Sequence, residues 1–225
     1  MNAAGIDLFA ACSGFLYGLT MVESMIRTGQ AKYVLVVGAE VLTKYVDYTD
    51  RGTCVIFGDG AGAAVLGPVE EGKGILATRI KSDGRYAEQL YSPGGGTKLG
   101  LTHESIDNRD CFFKMKGNEL FKVAVRSMAE ISAEMLEKAG VSADEVDLVI
   151  PHQANQRITD AVAARLSVPE EKVFSNIAEH GNTSSASIPI AMDECIQSGR
   201  IKEGSLVLLT AFGGGVTWGG TVIRF

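Results

Sequence analysis

The stretch Gly5-Ile6-Asp7-Leu8-Phe9-Ala10-Ala11-Cys12-Ser13-Gly14-Phe15-Leu16-Tyr17-Gly18 changes period in its middle. Up to Ala11 it is short and mostly apolar, the pattern of a buried strand. From Ser13 onward Phe15, Leu19, Val22 and Ile26 recur at helical spacing, and Gly29 stops the helix. The reading is a strand, a tight turn at Cys12, then a helix. A thiol at such a turn feels the positive end of the helix dipole and nearby backbone N–H groups. Both favour thiolate, the nucleophilic form. Gly14 leaves room for a substrate to approach. A small buried residue at a helix start accounts for Cys12 equally well.

The same alternation continues outward. Tyr33 to Ala39 reads as a second buried strand, and Cys54 to Phe57 and Ala61 to Leu66 as β-stretches around Gly58-Asp59-Gly60. Pro68 to Gly74 is polar and glycine-containing, the best boundary in the chain. Ile75 to Ile80 reads as a strand, and Ser82 to Asp110 as a long loop region. Lys116 to Ala139 is the clearest helix, with Leu120, Ala124, Met128, Ile131 and Met135 as its apolar stripe. Val146 to Ile150 is a strand, Ala154 to Leu166 and Ser184 to Gln197 are helices, and Leu206 to Ala211 and Val216 to Phe225 are strands around Gly213-Gly214-Gly215. Strands alternating with helices predict α/β layering. Residues 1–68 and 69–225 are the expected units, with only a loose echo between them.

Composition narrows the function. The chain has 225 residues, 46% of them hydrophobic and 21% charged, enough for a sizeable core. A net charge of −6 argues against a general nucleic-acid binder. No apolar run approaches the roughly 20 residues of a membrane span. The first residues lack the basic and apolar regions of a signal peptide. Cys12, Cys54, Cys111 and Cys195 form no CxxC pair, so neither a zinc site nor a redox dithiol is expected. Free thiols fit a reducing cytoplasm.

Three further features could share chemistry with Cys12. His152, in Pro151-His-Gln-Ala-Asn155, follows a strand end, where ligands gather in open α/β sheets. A hydrogen-bonded structural histidine is the commoner case. Asn182 opens Asn-Thr-Ser-Ser-Ala-Ser, where Asn and Ser are also ordinary capping residues. Phe212-Gly213-Gly214-Gly215 lets backbone approach a ligand and aim N–H groups at an oxyanion, or is a plain tight turn. Gly58-Asp59-Gly60-Ala61-Gly62 is followed by β-like residues rather than a helix, so a dinucleotide loop is a poor fit. His103 and His180 read as surface residues. Together the features supply a nucleophile, a donor pair and an oxyanion turn, a complete set for acyl transfer.

With these motifs in order, the chain resembles β-ketoacyl-acyl carrier protein synthase III. Asp7-Leu-Phe-Ala-Ala-Cys12-Ser-Gly, Gly58-Asp-Gly-Ala-Gly-Ala, Pro151-His-Gln-Ala-Asn155, Gly181-Asn-Thr-Ser-Ser-Ala-Ser-Ile-Pro189 and Phe212-Gly-Gly-Gly-Val-Thr-Trp-Gly219 carry the resemblance. It implies a thiolase-like fold, layered α/β/α/β/α, usually in a homodimer. It implies a catalytic Cys12, His152 and Asn182, and an oxyanion hole from the N–H groups of Cys12 and Gly214. Phe57 and Phe212 would line the acyl pocket. Arg51 and Asn155 would meet CoA and its pantetheine arm. Lys122 and Arg157 match positions implied in docking an acidic carrier protein, and Arg126, four residues on from Lys122, shares its helix face; a solvated charged face accounts for them equally well.

The implied reaction is decarboxylative condensation of an acyl-CoA primer, acetyl-CoA foremost, with malonyl-acyl carrier protein, giving the 3-oxoacyl thioester that begins fatty acid synthesis. Neither metal nor redox cofactor is implied; CoA and carrier-protein thioesters are substrates. Members of the family carry roughly a hundred residues, about a domain's worth, ahead of the nucleophile. Those hold the first strands and helices, a Trp and Arg for the CoA adenine, and a Phe that reaches into the partner's site. The expectation is therefore an incomplete N-terminal half, a complete C-terminal half, and an apolar edge at Gly5 to Ala11 that seeks another chain or lacks order. The alternatives are an inactive fragment of such an enzyme, or a related Cys-His-Asn condensing enzyme of the polyketide or quinolone type.

Overall fold

Residues 3–225 are described by a computed structural model in which the strand–helix alternation resolves into three sheets and six helices among the described residues. In chain order the elements are α1 (Gly14–Arg27), β1 (Val34–Val41), β2 (Asp59–Leu66), β3 (Gly74–Ser82), β4 (Leu90–Tyr91), α2 (His103–Asp107), β5 (Lys114–Met115), α3 (Gly117–Ala139), β6 (Leu148–Pro151), α4 (Gln156–Leu166), α5 (Ile177–His180), α6 (Ser187–Gln197), β7 (Leu206–Gly213) and β8 (Thr217–Arg224).

The main sheet has the order β3-β8-β7-β6, with β6 parallel to β7 and the other pairs antiparallel. Every residue of β7 is buried, which is why its sequence, Leu-Val-Leu-Leu-Thr-Ala-Phe-Gly, shows no polar alternation. A smaller antiparallel sheet pairs β1 with β2.

Helices α1 and α6 lie between the two sheets. Phe15, Leu16 and Leu19 of α1 and Ile188, Ala191 and Cys195 of α6 share one core with Val36 of β1 and Ile150, Leu209 and Ala211 of the main sheet. On the other face of the main sheet, Met128 and Met135 of α3 and Val162 of α4 pack on Val149, Leu208 and Val222. The result is the expected thiolase-like layering, with four layers in place. The outer face of β1–β2 carries no layer among the described residues: Leu35, Val37 and Val65 are 61%, 55% and 71% exposed.

One device in this arrangement positions the site. Gly38 and Gly62 are cross-strand partners in β1–β2. A Cβ on Gly38 would stand 2.8 Å from the Ser185 carbonyl oxygen, and one on Gly62 would stand 2.9 Å from the Ile190 nitrogen. Only glycine lets the start of α6 rest directly on the sheet. That contact fixes the height of the segment running from Asn182 into α6.

Four expectations are corrected. Gly5 to Ala11 is not a strand. It has no ladder partner among the described residues, and Ile6 and Phe9 are 67% and 99% exposed. An apolar run becomes a strand only when a neighbour takes its N–H and C=O groups. Cys54 to Phe57 is a turn, drawn tight by Asp50, whose carboxylate accepts from Gly52 N and the Thr53 hydroxyl. Within it only Phe57 makes a β-bridge, to Asn182. The Ser82 to Asp110 region is not a bare loop: β4 pairs with β5, and α2 starts at a Thr102–Ser105 capping box. Ser184 to Ala186 is a separate 3-10 turn ahead of α6. Among the described residues no helix is long and apolar enough to cross a membrane.

Candidate active site

Cys12 sits in a 3-10 turn, Ala11–Ser13, just ahead of α1. Ala11 has φ 47, a left-handed conformation that is strained for a residue with a side chain. Three bonds hold the turn. Ser13 N donates to Ala10 O at 3.1 Å, the Ser13 hydroxyl to Thr217 O at 3.0 Å, and the Thr217 hydroxyl to Ala10 O at 2.8 Å. The turn is thereby fastened to the start of β8. Gly213, at the end of β7, presses against it so closely that a Cβ there would lie 2.7 Å from Cys12 N.

His152 follows β6 directly. Its N–H donates to Thr210 O at 2.7 Å, which continues the β6–β7 pairing by one residue. The side chain is buried, and its Nδ1 lies 2.7 Å from Ser187 Oγ at the first residue of α6. Asn182 is held from both sides of its backbone: its N–H donates to Ile56 O, and its C=O accepts from Gly58 N, both at 2.9 Å. Its side-chain Oδ1 accepts from Ser184 N at 2.9 Å. The amide oxygen is thus occupied, and the –NH2 is the end left to serve a ligand.

Cys12, His152 and Asn182 line one narrow cavity of about 100 Å3. Phe57, Phe212 and Gly213 line it too, with Leu90 and Met115 of the small β4–β5 sheet and Phe121, Ala124 and Met128 of α3. Phe57 is braced by Phe113, with ring centroids 5.4 Å apart. Gly214 stands one residue beyond Gly213. Among the described residues neither Cys12 N–H nor Gly214 N–H donates to a protein acceptor.

Electrostatics set the resting state. Burial pushes the Cys12 thiol up to about 11; the Ser184 hydroxyl beside it draws it down and the Glu40 carboxylate adds to the rise. Burial pushes His152 down to about 4. Burial thus holds both groups toward their neutral forms and opposes the thiolate that the helix start favours. The dipole and N–H donors are local, but desolvation by the surrounding core is larger.

The remaining candidates fall into two places. Asn155 is on the cavity wall and caps α4, its Oδ1 accepting from Arg157 N at 2.9 Å. Lys122 and Arg126 are exposed on α3, and Arg157 lies over the Phe121 ring at 5.5 Å. The three cations thus sit on the two helices whose residues form the cavity wall. Arg51 is exposed in the turn before Phe57 and does not line the cavity.

A wider, more open depression of about 450 Å3 lies between Thr43–Thr49 and α2, where Arg109 is ion-paired to Asp47. It contains none of Cys12, His152 and Asn182. Among the described residues, no cluster of three or more His, Cys, Asp or Glu side chains is placed to hold a metal ion.

Ser187, Ser184 and Glu40 carry no functional signal of their own in the sequence. Glu40 accepts from the Ser185 hydroxyl at 2.6 Å, tying the Asn182–Ser187 segment to β1. Both serines lie in Gly181–Pro189, but as Ser near a helix start they read as caps. No signal within the sequence separates a capping Ser from one that meets a buried imidazole.

Two family models match the chain: 3-oxoacyl-[acyl-carrier-protein (ACP)] synthase III over residues 6–84, and the C-terminal part of 3-oxoacyl-[acyl-carrier-protein (ACP)] synthase III over residues 136–225. The chain is 52% identical to a beta-ketoacyl-[acyl-carrier-protein] synthase III of Aquifex aeolicus strain VF5; the match covers 100% of this chain and 69% of the relative. It superposes on the crystal structure of 3-oxoacyl-[acyl-carrier-protein] synthase III from that organism with a TM-score of 0.89 at 53% identity, covering 98% of this chain and 67% of that one. It also superposes on a priming β-ketosynthase from the R1128 polyketide biosynthetic pathway, TM-score 0.88 at 36% identity, covering 99% and 66%.

Proposed function

The chain belongs to the 3-oxoacyl-[acyl-carrier-protein] synthase III family of condensing acyltransferases, and we propose that Cys12, His152 and Asn182 carry out its reaction, the condensation that initiates fatty acid synthesis. The single observation behind this assignment is that three residues 30 to 170 positions apart in sequence line one narrow cavity.

The first stage is acyl transfer. Cys12 sulfur attacks the thioester carbonyl of an acyl-CoA, the C–S bond to CoA breaks, and the thiol proton leaves with the CoA sulfur. The N–H groups of Cys12 and Gly214, which lack protein acceptors, would hold the oxyanion. In the second stage malonyl thioester on the carrier protein enters. His152 and Asn182 –NH2 donate to its thioester oxygen as CO2 leaves and an enolate forms. The enolate carbon attacks acyl-Cys12; the C–S bond breaks and one proton from solvent restores the thiol. Neutral His152 suits a donor, since an imidazolium would have to be charged inside the core. This chemistry draws on thioester substrates, with no metal or redox cofactor.

Acetyl-CoA is the primer we propose, and the narrow cavity beside Cys12 is where its acyl group would lie. Asn155 on the cavity wall suits the pantetheine arm, Arg51 the CoA end, and Lys122, Arg126 and Arg157 an acidic carrier protein. We further place the protein in the cytoplasm, in keeping with its four free thiols, and as a homodimer, as the family resemblance implies.

The test is product analysis with acetyl-CoA and malonyl-acyl carrier protein. The reading expects a 3-oxobutyryl carrier protein that Cys12→Ser does not form. Condensation at the parent rate by Cys12→Ser would overturn it. Preference for a longer or non-fatty primer would favour a polyketide-type starter synthase.

A further inference from the structure

His152 is neutral when buried, so one of its ring nitrogens carries a hydrogen and the other does not. Which one decides whether His152 can donate into the cavity. The answer lies outside the cavity, at Ser187.

Ser187 Oγ has two neighbours. It lies 2.7 Å from His152 Nδ1, and it accepts from Gln153 N–H at 3.3 Å. Both side chains are buried, at 1% and 2% exposure. Among the described residues Ser187 Oγ has no further partner. The backbone N–H can only donate, so it takes one lone pair of the hydroxyl. The hydroxyl then has one proton left to place, and the acceptor within reach is Nδ1.

The opposite arrangement is poor. If Nδ1 carried the hydrogen, Ser187 Oγ would accept twice and its own proton would point into the core with no acceptor. A buried donor left unpaired shifts such an equilibrium by roughly five- to a hundredfold. We propose that Ser187 is a positioning residue that holds His152 with its hydrogen on Nε2, so that the ring meets substrate as a donor. The proposal rests on the catalytic reading above and adds the group that orients its histidine. Gln153 takes part through its backbone, and its side chain anchors that backbone: Nε2 donates to Pro151 O and Phe174 O, and Oε1 accepts from Asn176 N.

The consequence is a division between the two stages. Stabilising the enolate needs Nε2–H. Acyl transfer from CoA to Cys12 draws its oxyanion donors from backbone and depends on the tautomer less. Losing Ser187 should therefore slow decarboxylation more than acylation.

The experiment is 15N NMR of the imidazoles in the whole chain, without substrate. The three histidines are few enough to assign, with His152 identified by its loss in His152→Gln. The expected result is a pyrrole-type Nε2 and a pyridine-type Nδ1 at His152, turning into a mixture in Ser187→Ala and restored in Ser187→Thr. In parallel, malonyl thioester decarboxylation should fall at least fivefold in Ser187→Ala, with acyl-Cys12 formation changed less than twofold. A hydrogen found on Nδ1 in the parent chain overturns the proposal without any activity measurement. So does a Ser187→Ala chain with the parent's tautomer. A correct tautomer with no decarboxylation by the parent would instead refute the catalytic reading and leave the role of Ser187 standing.

Discussion

Replacing Gly213 with Ala puts a methyl group where the nucleophile's turn already stands. The new Cβ would lie 2.7 Å from Cys12 N, 3.1 Å from Cys12 Cβ and 3.1 Å from Ser13 N. Ordinary contact begins at 3.4 Å, so something must move by about 0.7 Å (3.4 − 2.7). Two of the three atoms are backbone, in a turn fastened to Ala10 and Thr217, so no side chain can swing aside. If Cys12 moves, the acylation rate falls by roughly 30- to 100-fold, since about 1 Å of misplacement costs about a hundredfold. If the turn resists, overpacking costs about 1–3 kcal/mol and Tm falls by several degrees. The assay is quenched-flow transfer of acetyl from acetyl-CoA to the chain, read by intact mass, beside a thermal melt. Gly84→Ala, where a Cβ meets nothing within 4 Å, is the control and should leave both readouts unchanged. A Gly213→Ala chain acylated within twofold of the parent rate, with an unchanged Tm, would refute the close approach.

Acid should unfold the chain through His152. Burial holds its folded value near 4, below the ordinary value of about 6.5, so between those values the unfolded state binds the proton and the folded state does not. Its contribution is complete above about pH 6.5 and is lost as pH falls toward 4, by about 3 kcal/mol; His152→Gln should flatten that part of a denaturant-measured stability profile, and an unchanged slope would contradict the burial. Phe57→Ala removes a cavity wall that leans on Phe113, so the ratio of hexanoyl-CoA to acetyl-CoA acylation rates should rise about tenfold, since filling a pocket is worth about 1–3 kcal/mol for each methylene-sized step. An unchanged ratio would take Phe57 off the acyl path. Lys122→Glu with Arg126→Glu should raise KM for malonyl-acyl carrier protein about fivefold at low salt and have no effect at high salt, while KM for acyl-CoA stays put; equal effects on both substrates would show general damage rather than lost docking.

Much of the site could be read from sequence because its parts lie at local transitions. Cys12 stands where a period changes, His152 after a strand ends in proline, and Gly213 between two apolar runs. Each transition is written in a few consecutive residues, and so is the layered α/β class. What could not be read depends on distant neighbours. Gly5 to Ala11 has the composition of a strand, but pairing is decided by another segment. The turn before α1 promises a thiolate, but the charge on Cys12 is governed by the core that surrounds it. The wall formed by Leu90 and Met115, and the Phe113 ring that braces Phe57 behind it, come from a region with little periodicity, where a two-residue strand pair and an aromatic contact do the positioning. Ser187 lies within the Gly181–Pro189 motif, yet its meaning depends on an imidazole 35 residues away.

The central claim is that the acyl acceptor is Cys12, a buried thiol, while Cys54 and Cys111 are more exposed. Incubation with acetyl-CoA followed by intact-mass and peptide-mapping mass spectrometry tests it directly. The account predicts a single acetyl group on Cys12, none on the two more accessible thiols, and no adduct in Cys12→Ala. Acetyl found on Cys54 or Cys111 ahead of Cys12, or no adduct at all, would contradict it.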